Sequence, residues 1–431
     1  KIAIILLGIT IICFSTMCRK KDNTDDCPVC PKITSFTPGH GKYKDTIRIN
    51  GENFKTDPDG LSLKIDINGM SAQIVNITND QAVVIVPNKC GTGVIRAYYD
   101  QELYGESETS FLYDAVGITS TYAGKCGGTA TANANPLLAE FNSPDKIFLD
   151  DSRGYVYVVN DGNGTVSRVS STGVTIIISG TNYIQAGACD ASGIIYLAFS
   201  DHIAKVESTA GTVMLKTIAG IEGSTGHVDG KAATAKFNGI RSMIIDNAGN
   251  FYIGESTYIR KIDAAFNVST IAGGATGGFL DGPALSAKFN SIVSLSLDKN
   301  QNLYIADWEN SRIRKLSGGV VSTIAGSGVE GVKNGIGTAA NLQKPRSITI
   351  NNDDSFLYFS DSFISSFLRK MDLKTGEVSY FTGDLTQTGS TDGPIETATY
   401  NEPKWLVYTK KMDALYVVEF FNCKVRKISF E

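Results

Sequence analysis

The sequence predicts an all-β chain of two modules, a small β-sandwich followed by a closed six-bladed β-propeller. Three observations predict it. Glycine is abundant (44) and proline scarce (11) in 431 residues, and short alternating runs such as Ile47-Arg48-Ile49 stand where long helical periodicities are missing. The word Thr-Ile-Ala-Gly recurs, with Thr217, Thr270 and Thr323 at a fixed step of 53 residues, which suits a four-stranded blade with its connection. The last repeat stops one strand short, and a strand of the missing type stands alone before the first repeat, at residues 117–124.

Composition sets the outer bounds. At 42% hydrophobic and 19% charged the chain can bury a core. A formal net charge of -4 argues against nucleic acid as a partner, since a phosphate backbone calls for a basic face. The first segment, "KIAIILLGITIICFSTMC", has a basic start, an apolar stretch and a cysteine. It resembles a bacterial lipoprotein signal over residues 1–18, which implies lipidation at Cys18; the alternative is a plain signal peptide or anchor. Residues 19–30 read as a polar tether. The resemblance implies an outer-membrane lipoprotein, exposed at the cell surface.

Export allows disulfides. "CPVC" holds Cys27 and Cys30, but Pro28 and Pro31 stiffen an extended segment, and no second such motif completes a zinc ribbon. A structural bridge from one of this pair to Cys90 is expected. Cys189 lies at an apolar strand position and is expected as a buried thiol.

Residues 31–114 form the first module. Short strands broken by Gly, Asn and Asp turns suggest an immunoglobulin-like sandwich. "PKITSFTPGHGKYKDTIRINGENF", "NGMSAQI" and "VIVP" are similar to an IPT/TIG domain. That resemblance implies a spacer or binding module, and no catalytic cluster occurs in it.

Residues 115–431 form the second module. One unit reads "AKFNSIVSLSLDKNQNLYIADWENSRIRKLSGGVVSTIAG", residues 287–326. Its strands a to d are VSLSLD, LYIAD, RIRKL and VVSTIAG. The unit resembles the NHL repeat, and five further copies follow it in outline at residues 141–180, 181–220 (a degenerate one), 237–273, 342–383 and 400–431. The sixth copy ends after strand c. Residues 117–124, "GITSTYAG", supply the missing strand d and close the ring as a Velcro seam, because an open ring would leave an unpaired edge. Cys126, just past that strand, and Cys423, at the start of strand c, then become neighbours and a disulfide candidate.

The d–a and b–c loops emerge on one face and are the long ones, so that face is the candidate functional surface. At the start of strand a stand Asp145, Gln185, Arg241, Val293, Arg346 and Lys404. At the start of the b–c loop stand Asn160, Phe199, Glu255, Asp307, Asp361 and Glu419. The carboxylates Glu255, Asp307, Asp361 and Glu419 could ring a calcium ion or act as acid and base. They could equally cap backbone N–H groups, with Arg241, Arg346 and Lys404 as ion-pair partners. Aromatic rings are the second signal: Trp308, Phe363, Phe420 and Phe421 in b–c loops and Trp405 on the last strand a. Rings beside Asn, Asp and Arg suit sugars; they also suit packing between loops or against the first module.

No serine-hydrolase elbow, phosphate loop or dinucleotide fingerprint occurs. Only three histidines are present, too few for the histidine metal set of the NHL-type lyase. Proteins resembling this architecture occur in bacterial glycan-utilisation systems. The expectation is a monomeric, non-catalytic surface protein without a cofactor that binds polysaccharide. The alternatives are a scaffold for envelope proteins and a propeller hydrolase or lyase with a channel metal, calcium being the candidate.

Overall fold

A computed structural model describes residues 30–430 apart from 43, 56–61, 88–89, 91, 100–101, 114–116, 128–129, 182, 210–211 and 362–365. Residues 1–29, which carry the expected lipidation at Cys18, and Phe363 lie outside the described residues. The chain divides between residues 116 and 117 into two units.

The first unit is one seven-stranded sheet, in the order Lys32–Thr37, Thr46–Glu52, Gln81–Ile85, Met70–Ile77, Lys64–Ile67, Ile95–Tyr99, Glu102–Glu106. Alternation decides what is buried: Ile47, Ile49, Val84, Ile65, Ile67, Ile95 and Ala97 all enter one core. The strand Met70–Ile77 is shared, pairing through Met70–Ala72 with Lys64–Ile67 and through Gln73–Ile77 with Gln81–Ile85. A flat sheet could not bring both halves onto one core. It bends across this strand, at a register shift between Ile74 and Asn76, into a barrel-like wrap. The expected bridge to Cys90 is not formed. Cys30 is disulfide-bonded, while Cys90 is a free thiol packed in the core, where burial pushes it up to about 11.

The second unit is a six-bladed propeller. Strands a, nearest the axis, are Pro144–Asp150, Ala186–Cys189, Ser242–Ile245, Ile292–Leu297, Pro345–Ile350 and Pro403–Thr409. Strands d, outermost of each four, are Gly173–Ile178, Thr212–Gly220, Asn267–Gly273, Val320–Ala325, Glu377–Gly383 and, for blade six, Gly117–Ala123. The seam forms as expected, with Gly117 opposite Phe430 and Ala123 opposite Val425. Cys126 and Cys423 are joined across it, their Cα atoms 4.8 Å apart.

The glycine-rich connections do more than cross between blades. In blades three to six each adds a short fifth strand outside strand d: Gly230–Lys231, Gly282–Pro283, Gly335–Ile336 and Gly393–Pro394. Gly230, Gly282 and Gly393 sit at φ 125°, 130° and 138°, backbone that a side chain would strain. Blade one has a single bridge of this kind, Asn133 to Val174. Blade two has none among the described residues.

Candidate functional site

The four carboxylates are not arranged as a metal ring. Each is buried against an arginine of the following strand c: Glu255 with Arg260 (3.4 Å), Asp307 with Arg314 (2.8 Å), Asp361 with Arg369 (2.7 Å) and Glu419 with Arg426 (3.1 Å). Their other oxygens accept the backbone N–H of Asn238, Asn290, Lys344 and Asn401, just ahead of strand a in the same blade. Capping by these side chains therefore holds, but the partners are the strand-c arginines and not Arg241, Arg346 or Lys404. Burial raises the carboxyls of Glu255, Asp307 and Glu419, with the arginines opposing it. Among the described residues no three His, Cys, Asp or Glu side chains converge on a metal position.

The arginines tie the loops to the blades. Arg314 donates to Asp307, to Asp281 in the glycine-rich connection, and to the carbonyls of Lys288 and Leu280. Asp281 in turn accepts from Thr323 N on strand d. Arg260 with Asp229 and Arg426 with Asp392 repeat the pattern. All four guanidiniums are fully buried, a cost that their carboxylate and carbonyl partners offset.

The axial mouth carries different chemistry. Where strand a begins, the pairing with strand b skips a residue in blades one, four, five and six, between Pro144 and Lys146, Ile292 and Ser294, Pro345 and Ile348, and Pro403 and Trp405. Such bulges re-aim side chains. The skipped positions are Asp145, Val293, Arg346 with Ser347, and Lys404. A cavity of about 340 Å³ opens there, lined by Lys146, Gln185, Arg241, Arg346, Trp308 and Trp405, with Ser200, Gly239, Ile240 and Val293 between them. Trp308 begins a one-turn helix, Trp308–Asn310, directly after the anchored Asp307, and its ring lies 5.4 Å from the Arg346 guanidinium. The Lys146 ammonium lies 4.6 Å from the Trp405 ring.

Charge behind this lining is dense. Asp145 is in contact with Lys146 and Lys404 and lies 3.7 Å from Arg346. Burial works to raise its carboxyl, but the two lysines overcome it and hold it well below the usual range. Burial, then the Asp145 charge, pushes Asp161 up to about 6. Burial lowers Lys146 and Arg346 and raises Glu402, which is 3.8 Å from Arg346. Arg241 is exposed at the rim, donates to Ser291 Oγ at 3.1 Å, and has no carboxylate at ion-pair distance among the described residues. A second cavity of about 310 Å³ shares Lys146 and Gln185 and adds Asp161, Ile184 and Tyr183, a residue 82% exposed.

Four of the expected ligand residues, Trp308, Trp405, Arg241 and Arg346, thus meet in one cavity. Lys404 does not line it; its ammonium is held by Asp145 and lies 4.1 Å from the Phe420 ring. Phe420 and Phe421 form an edge-to-face pair beside the seam, away from the cavity lining. Lys146 and Tyr183 were not legible as site residues. Lys146 adjoins Asp145, so only the bulge shows that both reach the axis, and Tyr183 falls in the short 179–185 connection of the least regular repeat.

Both units are similar to known proteins. Residues 31–113 match the IPT/TIG domain. The chain is 28% identical over 250 residues to NHL repeat-containing protein 2 of Gallus gallus; the match covers 50% of this chain but 34% of that relative. The chain therefore spans about a third of the length of this curated relative. A Bacteroides thetaiotaomicron structural genomics protein of unknown function superposes with a TM-score of 0.63 at 20% identity, covering 94% of this chain and 99% of the other. An auxiliary nutrient binding protein from Bacteroides ovatus superposes with a TM-score of 0.58 at 17% identity, over 95% and 99% of the two chains. At these identities the structural likeness is one of fold, and it spans both the IPT/TIG domain and the propeller.

Proposed function

We propose that the protein is a non-catalytic binding protein of the bacterial cell envelope that holds carbohydrate at the axial mouth of its propeller. One observation carries this reading: Trp308 and Trp405 line a single cavity together with Lys146, Gln185, Arg241 and Arg346. Indole faces stack on the C–H faces of sugar rings, and the cations and the amide meet hydroxyls. Tyr183 extends the same rim with an exposed ring. The four carboxylates best placed by sequence for acid and base work are buried and spent on arginines, which favours binding over hydrolysis. The fold-level likeness to an auxiliary nutrient binding protein from Bacteroides agrees with this assignment, as does the sequence resemblance to a lipoprotein signal.

Affinity electrophoresis through gels containing a panel of neutral and acidic polysaccharides tests it. Retardation by at least one polysaccharide is expected. Trp308→Ala should weaken it by roughly tenfold in Kd, about 1.4 kcal/mol. Thermal unfolding of the variant checks that the blade is intact. A protein that migrates unchanged in every gel would remove the carbohydrate assignment.

A further inference from the structure

We infer that the mouth selects anionic sugars, those bearing uronate or sulfate groups, over their neutral counterparts. This inference rests on the reading of the mouth as a carbohydrate site. The lining of the cavity holds three cationic side chains, Lys146, Arg241 and Arg346, and no carboxylate. The acidic groups of the neighbourhood lie outside that lining. Asp145 is buried in contact with Lys146 and Lys404, Glu402 lies buried 3.8 Å from Arg346, and Asp161 lines the adjoining cavity with Lys146 and Gln185. Arg346 and Lys146 are themselves nearly buried, with 11% and 13% of their side chains exposed, so their charge acts in a low-dielectric wall.

Arg241 is the group that decides the sign of the site. Its guanidinium keeps most of its donors available, because its hydrogen bond is to the neutral Ser291 and no carboxylate pairs with it among the described residues. A planar fork of this kind takes a carboxylate or sulfate in a bidentate grip. It lines the same cavity as Trp308 and Trp405, so a sugar stacked on an indole can present an acidic substituent to it. A guanidinium donates to hydroxyl oxygens of a neutral sugar as well, but its charge and its two parallel donors are matched in full only by a carboxylate or sulfate, and neutral sugars also need acceptor groups for their hydroxyl donors. Here Gln185 and Ser200 are the lining side chains that can accept.

Two matched pairs of polymers test the inference: polygalacturonate against its full methyl ester, and dextran sulfate against dextran. Each is measured by affinity electrophoresis and titration calorimetry with the whole protein and with Arg241→Gln. Arg241 is exposed, so this substitution leaves the fold intact, which thermal unfolding verifies. The expected result is an acidic member bound at least about tenfold tighter than its neutral twin, a gap that Arg241→Gln closes by roughly tenfold and that salt of about 0.5 M also narrows. The two pairs separate a carboxylate ligand from a sulfate ligand. Equal binding of both members, or a charge gap untouched by Arg241→Gln, overturns the inference and leaves the carbohydrate assignment standing. Binding of a neutral polysaccharide alone has the same meaning. No binding to any polysaccharide overturns both.

Discussion

At the scale of single residues, one position separates otherwise equivalent blades. In blades three, four and six the connection supplies an aspartate (Asp229, Asp281, Asp392) that accepts from both Nε and Nη2 of the buried arginine. Blade five has Asn334 there. Its amide oxygen receives only Arg369 Nη2, at 3.2 Å, and Arg369 Nε has no acceptor among the described residues. A buried donor without a partner costs about 1–3 kcal/mol. Tyr380 compensates in part, closing the same connection through a 2.8 Å hydrogen bond to the Val332 carbonyl. Asn334→Asp should therefore restore the missing bond and stabilise the propeller by about 1 kcal/mol, less the screening at an exposed site. The mirror change, Asp281→Asn in blade four, should cost a similar amount. Guanidinium unfolding midpoints of both variants check the pair of signs, and a destabilised Asn334→Asp would show that the arginine's second partner is immaterial.

At the scale of elements, blade two has lost three linked features together. Ala204 occupies the strand-c position held by Arg260 in blade three, since each pairs with the corresponding threonine of strand d. Phe199 replaces the carboxylate and stacks on His202, ring centroids 4.5 Å apart. The connection of residues 179–185 is too short to lay a fifth strand on the outer edge, which remains open among the described residues. This degeneracy was visible in the sequence as the copy that least fits the repeat. Its structural meaning was not, because the fifth strands come from glycine-rich stretches that carry no strand pattern of their own. The strand Thr212–Gly220 is exposed over residues 212–217, including Val213, Met214 and Leu215. Local stability follows pairing and burial. Native-state hydrogen exchange should find the outward amides of residues 213–217 exchanging at least about tenfold faster than their counterparts in Asn267–Gly273 and Val320–Ala325. Equal protection in the three strands would mean that the arginine–carboxylate anchors and fifth strands add nothing to blade stability.

At the scale of the whole molecule, the ring was legible because its defect was legible: a final repeat short of one strand and an early strand without a blade admit one closed solution. The mouth was legible only in part. Arg241 and Arg346 are found by aligning the starts of strand a and Trp308 and Trp405 by their rings, whereas Lys146 depends on a bulge that no residue type announces. The seam itself sets the last expectation. Gly117–Ala123 and Lys424–Phe430 carry the two ends of the propeller, and their pairing closes the ring where continuous chain does not. Cys126 and Cys423 support that closure across 297 residues of sequence. In the chain-entropy account a link over so long a loop stabilises chiefly by restricting the unfolded chain, typically by about 2–4 kcal/mol. The Cys126→Ser, Cys423→Ser double variant should then unfold at a lower denaturant concentration by that amount, with unfolding beginning at the seam strands. Reductant should weaken the propeller of the parent protein and leave that of the double variant unchanged. Two thiols that label freely in the oxidised native protein, or a double variant as stable as its parent, would show that strand pairing alone closes the ring.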